Sequence, residues 1–545
     1  MILRNYQIAA EQAIHEYFHD HKGNPIIAMP TGTGKSLVIG SFIQNVFSAY
    51  ANQRVMMLTH VKELIQQNAA KLFQMWPTAP AGIYSAGLKR REVHFPITYA
   101  GIASVASKAT HFGHIDLVLI DECHLISPNA ETMYRSFLAD LRKKNPFLKV
   151  VGFTATPYRL GVGMLTDGGL FTDVCFDMTG LDPFNWLVEE GYLCPLIPKR
   201  TGMTLDVTGV HKTGGEFKAN ELQEAVDHQE LTHAAVREMV ELGSDRAHWL
   251  LFASGIEHAE HIAAMLDTFN IPACVIHSKM GDEQRDDAIK GFKSGKYRAA
   301  VNNNVLTTGF DFPEIDLIGM LRPTSSPGLW VQMLGRGTRP VYAKGYDLQT
   351  KTGRLTAIAA GVKQTCLVLD FAGNTRRLGP INDPVIPKAK GKGGGGEAPV
   401  KICEVCETYN HASVRFCMSC GNEFPRHLKI NTTAYTDEVM AASAPVIETF
   451  QVDKVTYAHH NGREGRPPSM QVSYFCGLRM FREFICFEHY GFPKHLSHEW
   501  WKQRHWDAPP ETVTEALQSV NDLRQPKQIK VWVKKIHSEV KGYEF

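Results

Sequence analysis

The sequence predicts an α/β fold in which two parallel-sheet lobes precede a small cysteine module and a C-terminal α+β or β domain. Short runs rich in Val, Ile and Leu alternate with helix-like stretches through about the first 370 residues. Runs that are apolar on both faces and separated by helices are typical of parallel sheets. The runs form two groups on either side of an irregular or helical stretch, from about Phe171 to Gly243, so each group predicts one lobe.

Length and charge limit the remaining possibilities. A chain of 545 residues is too long for one hydrophobic core, and a domain size of roughly 150 residues predicts three or four domains. The formal net charge of +2 gives no overall attraction to a polyanion, so a nucleic-acid site would have to be a local groove. No basic segment followed by an apolar core opens the sequence, and no run of about 18 apolar residues occurs in it. These features predict a cytoplasmic protein without membrane contact.

Changes in composition place the domain boundaries. Four consecutive glycines among lysines follow Ile386 and predict a flexible linker. Beyond the cysteine module, the last hundred or so residues become aromatic and basic, which predicts a separate domain. The predicted segments are residues 1–180 for the first lobe, 181–375 for the second lobe with its connecting region, 376–400 for the linker, 401–425 for the cysteine module and 445–545 for the C-terminal domain.

The segment MPTGTGKS, from Met29 to Ser36, lies between an apolar strand-like run and a helix-like run. This order and spacing fit a phosphate-binding P-loop, except that Met29 stands where the first glycine usually lies. In such a loop the backbone N–H groups bind phosphate oxygens, the lysine adds charge at the β and γ phosphates, and the hydroxyl binds Mg²⁺. A glycine-rich turn without a ligand is the alternative. The predicted ATP-binding residues here are Thr31, Gly32, Thr33, Gly34, Lys35 and Ser36.

Two acidic residues end the apolar run LVLIDECH. Asp121 would hold Mg²⁺ through water, together with Ser36, and Glu122 would polarise the water that attacks the γ phosphate. The predicted catalytic set thus begins with Lys35, Asp121 and Glu122. A solvated strand end is the alternative, and the P-loop upstream argues against it.

Three polar residues, Gln332, Arg336 and Arg339, follow one another at intervals of three or four. On a helix they would share one face. Two guanidinium groups on one face can clamp a transferring phosphoryl group, provided that the second lobe closes on the first. We therefore predict that these residues are catalytic, and ion pairs with surface acids are the alternative.

Five segments, in this order, resemble motifs of superfamily 2 helicases. They are MPTGTGKS, DECH, TATPYR from Thr154 to Arg159, VLTTGFD from Val305 to Asp311, and QMLGRGTR from Gln332 to Arg339. The resemblance covers roughly residues 1 to 375 and implies two tandem RecA-like lobes that bind ATP between them. Closure and opening of the lobes would then follow the nucleotide state and move a bound polymer.

The same resemblance implies roles for residues that no spacing singles out. The implied nucleotide-binding residues are Arg4 and Gln7, the latter reading adenine, and Gly309 and Asp311, the latter bonding the ribose. The implied coupling residues are His124, Thr154 and Thr156. The implied nucleic-acid contacts are Thr59, His60, Lys62, Thr98, Ser104, Ser254, His277, Thr307 and Arg322. Single residues of these types are also common on ordinary surfaces and in cores.

Four of the 11 cysteines, Cys403, Cys406, Cys417 and Cys420, form two C-x-x-C pairs separated by ten residues. A segment too small to fold alone, in a reducing compartment, favours a tetrahedral structural zinc site over disulfides. A redox pair or a disulfide is the alternative. His411 could replace one ligand, although four cysteines already complete the shell.

Several longer segments narrow the resemblance further. HVKELIQQN, SAGLKRRE, VLTTGFDFPEIDLIGMLRPT and LDFAGN, with the cysteine module and the aromatic C-terminal domain, resemble the RadD family of bacterial DNA-repair ATPases. This resemblance implies single-stranded or junction DNA as the polymer, ATP, Mg²⁺ and Zn²⁺ as cofactors, and single-stranded DNA-binding protein as a partner. It also implies a bacterial protein, or a phage or mobile-element protein acting in the bacterial cytoplasm. The family's cysteine-rich segment is longer than the one present here.

The C-terminal domain interleaves aromatic residues with cations, as in YFCGLRMFREF. Such residues either stack nucleic-acid bases or form the inner face of a small sheet. The function predicted for the whole chain is that of an ATP-dependent DNA helicase or translocase in repair or recombination. The alternatives are an RNA helicase, a nucleotide-gated platform that binds DNA without separating strands, and a restriction-type motor with a partner subunit.

Overall fold

The computed structural model divides the chain into two compact units, Met1–Ser443 and Ala444–Phe545. Within the ranges that the structure describes, no helix is both long and apolar enough to cross a membrane. The described residues are 3–50, 52–127, 132–160, 163–213, 215–307, 309–385, 400–403, 405, 409–411, 422–423, 447–461, 467–477, 479–489, 492–532 and 539–545.

An eight-stranded sheet forms the first lobe, with the strand order β10-β1-β7-β6-β2-β5-β3-β4. All neighbouring strands are parallel except β3 and β4. The short strands β8 and β9 pair only with each other. The strands are β1 (Pro25–Ala28), β2 (Val55–Thr59), β3 (Ala81–Ser85), β4 (Arg90–Arg91), β5 (Ile97–Gly101), β6 (Leu117–Asp121), β7 (Lys149–Thr154), β8 (Tyr158–Arg159), β9 (Gly163–Met164) and β10 (Asp173–Asp177).

Helices cover both faces of this sheet. In β2, Val55 and Met57 pack into one apolar cluster while Met56 and Leu58 pack into another. Because successive strand residues point to opposite faces, burial on both sides produces the unbroken apolar run VMML within the segment RVMMLT. The helices are α1 (Asn5–Asp20), α2 (Lys35–Ala49), α3 (Lys62–Met75), α4 (Ile102–Val105), α5 (Ala109–Phe112) and α6 (Met133–Lys144), with 3₁₀ turns at Cys123–Leu125 and Leu165–Gly168.

The second lobe contains a six-stranded parallel sheet with the order β11-β18-β17-β14-β16-β15. The short strands β12 and β13 form a separate hairpin. The strands are β11 (Leu196–Lys199), β12 (Lys212–Thr213), β13 (Glu216–Phe217), β14 (Trp249–Ala253), β15 (Ala273–His277), β16 (Ala299–Asn303), β17 (Leu317–Leu321) and β18 (Cys366–Asp370). The helices are α7 (Leu181–Glu189), α8 (Ala219–Val226), α9 (Gln229–Leu242), α10 (Ile256–Thr268), α11 (Asp282–Lys293), α12 (Pro327–Leu334), α13 (Lys351–Ala359) and α14 (Asn374–Leu378).

The sequence suggests an irregular or helical stretch between the two groups of apolar runs. In the structure, this stretch also contains strands. It supplies β10 to the edge of the first sheet and β11 to the edge of the second sheet. Both strands lack a long apolar run: charged residues begin and end β10, and Pro198 lies within β11. Edge strands tolerate both features, since they pair on one side only.

Part of the cysteine module lies within the described residues. The strands β19 (Val400–Ile402) and β20 (Tyr409–His411) form an antiparallel hairpin. Cys403 follows β19 and is buried, and Nδ2 of Asn422 donates to its Sγ at 3.8 Å. The other three predicted ligands, Cys406, Cys417 and Cys420, lie outside the described residues, as does the glycine-rich part of the predicted linker.

The second unit is an α+β domain with two antiparallel three-stranded sheets, in the orders β21-β25-β26 and β22-β23-β24. Among its aromatic residues, Tyr474, Trp500 and Trp501 are core residues, whereas Phe475 and Trp506 are exposed. Both predicted uses of the aromatic residues therefore remain open, for different residues. The elements are β21 (Ile447–Gln451), β22 (Lys454–His460), β23 (Ser469–Cys476), β24 (Arg479–Ile485), α15 (Phe492–Lys502), α16 (Val513–Gln518), a 3₁₀ turn (Val520–Asp522), β25 (Gln528–Trp532) and β26 (Glu539–Glu544).

Candidate active site

A cavity of about 320 Å³ lies between the two lobes of the first unit. On the first-lobe side it is lined by the loop between β1 and α2 and by the end of β6. On the second-lobe side it is lined by the chain that follows β16 and by the chain that follows α12. Most of the predicted ATP-site residues line it: Arg4, Thr31, Gly32, Gly34, Lys35, Ser36, Asp121, Glu122, Gly309, Asp311, Arg336 and Arg339.

The loop before α2 depends on its glycines in two ways. Gly32 and Gly34 have φ angles of 90° and 87°, in the left-handed region that residues with a side chain rarely adopt. A Cβ at position 34 would also lie 2.5 Å from Nε2 of Gln7. Met29, in the place of the usual first glycine, has its side chain wholly buried in the core. The departure from the usual motif is therefore accommodated by packing.

Gln7 is hydrogen-bonded to the backbone of the loop before α2. Its Nε2 donates to the carbonyl oxygen of Thr33 at 2.8 Å, and the hydroxyl of Tyr6 donates to the same oxygen at 2.9 Å. Oε1 of Gln7 accepts from the backbone N–H of Arg4 at 2.9 Å. Gln7 is almost fully buried and does not line the cavity, whereas Arg4 does. The reading of adenine by Gln7 stays a prediction.

Asp121 ends β6 at the floor of the cavity. Nδ2 of Asn68 donates to its Oδ2 at 2.9 Å, and the backbone N–H of Glu122 donates to its Oδ1 at 3.0 Å. Burial, reinforced by the charge of Glu122, raises the pKa of Asp121 above its ordinary value. A buried carboxylate of this kind suits a divalent cation, whose charge would offset the cost of burial. Ser36 also lines the cavity, so these two residues are placed to hold Mg²⁺.

Glu122 adopts a backbone conformation that is uncommon for a residue with a side chain, with φ 51° and ψ 48°. Burial opposes the ionisation of its carboxyl group, but the charge of Lys35 and the hydrogen-bonding contact with His124 lower its pKa below the ordinary value. Oε2 of Glu122 lies 3.3 Å from Nδ1 of His124. An ionised carboxylate here can accept a hydrogen bond from a water molecule and polarise it.

The three predicted coupling residues lie together next to this carboxylate. Nδ1 of His124 lies 2.9 Å from the hydroxyl oxygen of Thr154, which accepts from the backbone N–H of Thr156 at 3.0 Å. On its other side, Nε2 of His124 accepts from Nε2 of Gln332 at 2.7 Å. One imidazole therefore links the first lobe's carboxylate to a side chain of the second lobe.

The prediction that Gln332, Arg336 and Arg339 share one face of a helix is wrong. Helix α12 ends at Leu334, and both arginines lie in the chain beyond it. The chain leaves the helix where it meets the P-loop: a Cβ at Gly335 would lie 2.8 Å from Cβ of Thr31. Both arginines nevertheless line the cavity.

The two arginines differ in what they bind. The Arg336 guanidinium is buried and donates to the carbonyl oxygens of Thr307 and Phe310. Burial, with the charge of Arg339, lowers the pKa of Arg336 to about 9. Nε of Arg339 lies 3.0 Å from Oδ1 of Asp311, and its buried Nη1 has no hydrogen-bond partner within the described part of the chain. Arg339 therefore retains a donor for a phosphate oxygen.

Eight residues that line the cavity were not predicted, and three of them have polar side chains: Gln67, Lys71 and Tyr342. Nε2 of Gln67, on α3, donates to the carbonyl oxygen of Gly309 across the lobes. Gln67 and Lys71 are one helical turn apart, and this spacing beside an apolar face is a signal that sequence reasoning could have used. The hydroxyl of Tyr342 donates to the carbonyl oxygen of Gly191 at 2.6 Å, and no local pattern announces that contact.

The predicted nucleic-acid residues fall into two groups. The side chains of Thr59, Thr98, Ser254 and Thr307 are buried in or just after strands, so contact between their hydroxyls and a polymer does not fit this arrangement. The partly or fully exposed residues are His60, Lys62, Ser104, His277 and Arg322. All five side chains have partners. Nζ of Lys62 lies 2.9 Å from Oδ2 of Asp282, and Arg322 donates to Oδ1 of Asn304. The other contacts are those of His60 with the Tyr134 hydroxyl at 3.0 Å, of the Ser104 hydroxyl with the backbone N–H of Ala86 at 2.8 Å, and of His277 with the backbone N–H of Lys279 at 3.3 Å.

Family models of known proteins match a region in each of the two lobes. Residues 1–159 match the family model described as the type III restriction enzyme res subunit, and residues 233–340 match the helicase conserved C-terminal domain. A putative ATP-dependent helicase of Saccharomyces cerevisiae, IRC3, is 24% identical over 401 residues, which is 71% of this chain and 53% of that protein. A type I restriction enzyme endonuclease subunit of Escherichia coli is 23% identical over 62% of this chain and 44% of its own length.

A Lactococcus phage protein of 51.5 kDa is 23% identical over 75% of this chain and 81% of its own length. Among solved structures, a fragment of a putative HsdR subunit of a type I restriction enzyme from Vibrio vulnificus has the same fold. It has a TM-score of 0.51 and 18% identity, and the match covers 71% of this chain and 68% of that one. The chain spans only about half the length of the yeast protein. The matched regions fall in the two lobes of the first unit, so both lobes resemble domains of ATP-dependent helicases and restriction-enzyme subunits.

Proposed function

We propose that this chain is an ATP-driven DNA helicase or translocase, in which hydrolysis between the lobes moves or remodels DNA. The observation that carries the proposal is the contact of His124 with Glu122 on one side and with Gln332 on the other. It links the site of water activation to the second lobe, as a motor requires. The match of the first lobe to a restriction-enzyme subunit favours DNA over RNA.

Each side chain has a distinct part in the proposed cycle. Lys35 neutralises phosphate charge, and Ser36 and Asp121 would hold Mg²⁺, which would supply further positive charge beside the phosphates. Glu122 orients and polarises the attacking water. Arg339 reaches across from the second lobe to stabilise the charge of the transferring group. Loss of the γ phosphate removes the ligand that Arg339 shares with the first lobe, so the lobes are freer to separate.

Steady-state ATP hydrolysis tests the proposal. It is measured without polymer and with single-stranded, duplex and forked DNA and RNA, in the wild type and in the Lys35→Ala and Glu122→Gln variants. Stimulation by DNA that is lost in both variants is expected. Stimulation by RNA alone would make the chain an RNA helicase. DNA binding without stimulated turnover would make it a nucleotide-gated platform, and wild-type rates in either variant would refute the site.

The cysteine module is proposed to hold a structural zinc ion through Cys403, Cys406, Cys417 and Cys420. The buried position of Cys403 at the end of a β-hairpin supports this. Metal analysis of the purified protein should give about one zinc per chain, and Cys403→Ser should lower it. Cys486→Ser is the matched control, because Cys486 is only half-buried in the second unit. Metal-free wild-type protein with normal stability would refute the zinc site.

The cellular role is proposed to be RadD-like, in DNA repair or recombination with single-stranded DNA-binding protein as a partner. The quoted sequence segments support this part of the proposal. Hydrolysis on DNA coated with that protein should equal or exceed hydrolysis on bare DNA. Inhibition by the coat, as expected for simple competition, would count against a partnership.

A further inference from the structure

The sheet β22-β23-β24 in the second unit has one covered face and one open face. Val472 and Tyr474 on β23 point into the core, together with Phe481 on β24. Alternate residues point to the other face. Strand pairing places Phe475 of β23 directly opposite Met480 of β24.

Two aromatic rings lie exposed on this open face. Phe475 is 37% exposed and Phe484, on β24, is 49% exposed. Phe484 is paired with Gln471, four residues before Phe475 on β23, so the two rings lie at opposite ends of the face. Four residues of strand span roughly 13 Å. Phe475 lies between Lys454 and the exposed Met480 on the two neighbouring strands. Accessible Phe rings above an intact core suggest a binding surface.

The open face also carries positive charge, and none of the described strand residues on it is acidic. Arg482 lies between the two rings, opposite Ser473, and Lys454 is paired with Phe475. Neither cation forms an ion pair within the described part of the chain, and the contact recorded for the Arg482 guanidinium is Sδ of Met480 at 3.9 Å. The acid of β24, Glu483, is instead used in the interior, where it accepts hydrogen bonds from Trp500 and Tyr543.

We propose that this open face binds single-stranded nucleic acid, with bases stacked on Phe475 and Phe484 and the backbone following Arg482 and Lys454. The inference rests on the proposed function only in taking DNA as the polymer. Aromatic rings on an open, cationic surface stack unpaired bases of any sequence. A duplex has its base faces covered, so it should not use the rings. Hydrophobic docking of a protein would need a continuous apolar patch, whereas here Arg482 and Ser473 separate the rings.

The test measures the affinity of the full-length chain for a labelled oligothymidine by fluorescence anisotropy, without nucleotide. The Phe475→Ala/Phe484→Ala double variant should bind at least about fivefold more weakly, with unchanged duplex affinity and unchanged hydrolysis in the absence of DNA. Arg482→Ala should weaken binding and reduce the slope of log affinity against log salt by about one. Because both rings are exposed, the fold should survive, which circular dichroism checks.

Arg479→Ala is the matched control. Arg479 begins the same strand on its other side, where its guanidinium lies 5.4 Å from the Phe450 ring centroid and 3.5 Å from Glu448. Its loss should leave oligothymidine affinity unchanged.

Unchanged affinity in the double variant, with DNA-stimulated hydrolysis intact, would overturn this inference and leave the proposed function standing. Weakened oligothymidine binding in a chain whose hydrolysis ignores DNA would support the inference and count against the proposed function. A parallel loss of duplex affinity would overturn stacking. Unchanged DNA affinity with loss of binding to an acidic peptide would assign the face to a protein partner. An RNA oligonucleotide of matched length shows which polymer the face prefers.

Discussion

Nε2 of His124 in the first lobe accepts a hydrogen bond from Nε2 of Gln332 in the second lobe, at 2.7 Å. The opposite ring nitrogen of His124 lies 3.3 Å from Oε2 of Glu122 and 2.9 Å from the hydroxyl oxygen of Thr154. A neutral imidazole has one donor and one acceptor, so the bond at Nε2 places its proton on Nδ1, toward Glu122 and Thr154. The lobe contact and the orientation of the Glu122 carboxylate thus depend on a single ring.

Gln332→Ala should therefore separate hydrolysis from movement. The variant keeps the P-loop, so nucleotide affinity should remain near that of the wild type. Loss of the bond to His124 should lower the DNA-stimulated kcat about tenfold, the effect of roughly one hydrogen bond, and lower the DNA displaced per ATP further. Stopped-flow translocation beside a phosphate-release assay measures both. Gln349→Ala, at an exposed glutamine, is the control. A normal ratio of displacement to hydrolysis in Gln332→Ala would contradict a coupling role.

The two cavity arginines should fail differently when removed. Arg339→Ala should lower kcat by about a thousandfold or more with little change in ADP affinity. The reason is that its Nη1, which has no hydrogen-bond partner among the described residues, would act on the transition state. Arg339→Lys should not restore the rate, because a single ammonium lacks the planar fork. Arg336→Ala should also lower thermal stability, because the carbonyl oxygens of Thr307 and Phe310 lose their donor. Equal effects of the two substitutions on kcat and on stability would contradict this division.

The part of the site that could be predicted from the sequence is the part built from short, continuous segments. The segment from Met29 to Ser36 directly follows the buried strand β1, and Asp121 and Glu122 lie at the end of the buried strand β6. The phosphate-binding chemistry requires the fixed spacing within the first segment. The parallel-sheet lobes were also predictable, since strands buried on both faces appear as apolar runs. The prediction that Gln332 and Arg336 share a helix face was wrong, because spacing alone cannot show that α12 ends at Leu334, next to the P-loop.

Contacts between distant segments could not be predicted. Gln67 meets Gly309 and Tyr342 meets Gly191 only because the chain folds back on itself, and neither pair has a local signature. Burial also decides which members of an implied set remain available. Thr59 and Thr98 have the residue type expected of phosphate contacts, yet they lie in strands whose two faces are both covered.

Asp282→Asn should strengthen DNA binding. Lys62, a predicted DNA contact, is held 2.9 Å from the Asp282 carboxylate of the other lobe. The Asp282 side chain is 70% exposed, so the ion pair adds little to stability and its loss should leave the unfolding temperature nearly unchanged. Freeing Lys62 and removing a like charge from the phosphate path should tighten single-stranded DNA binding a few-fold, more at low salt.

The matched control for that substitution is Asp287→Asn, on the same helix α11. Asp287 is exposed and lies 3.7 Å from Lys290 of its own helix, so it does not hold a predicted DNA contact. A salt titration of binding with both variants measures the effect. If both variants bind DNA more tightly by the same factor, the effect comes from net charge alone. If Asp282→Asn binds DNA more weakly, the contact of Lys62 with Asp282 between the lobes, and not a free Lys62, favours the DNA-bound form.

Lys363 is expected to position Arg339, the arginine that is proposed to act across the cavity. Its buried Nζ donates to the carbonyl oxygens of Pro313 at 2.9 Å, Gly337 at 2.8 Å and Arg339 at 2.8 Å. One ammonium group thus ties the segment after Asp311 to the segment that carries Arg339. Lys363→Met should leave three buried carbonyl oxygens without this donor, which costs stability, and it should displace Arg339.

The expected signature in Lys363→Met is a kcat loss of about tenfold or more, measured below the unfolding temperature, with ADP affinity nearly unchanged. Arg354→Met separates this from general destabilisation. Arg354 is equally buried in the second lobe and donates to the carbonyl oxygens of Glu190, Leu348 and Gln349, none of which lines the cavity. It should lower thermal stability without lowering the kcat of the folded enzyme. Of these two residues, Lys363 bonds the backbone of Arg339 and Arg354 does not. A similar kcat loss in both variants would therefore show that Lys363 acts through stability and not by positioning Arg339.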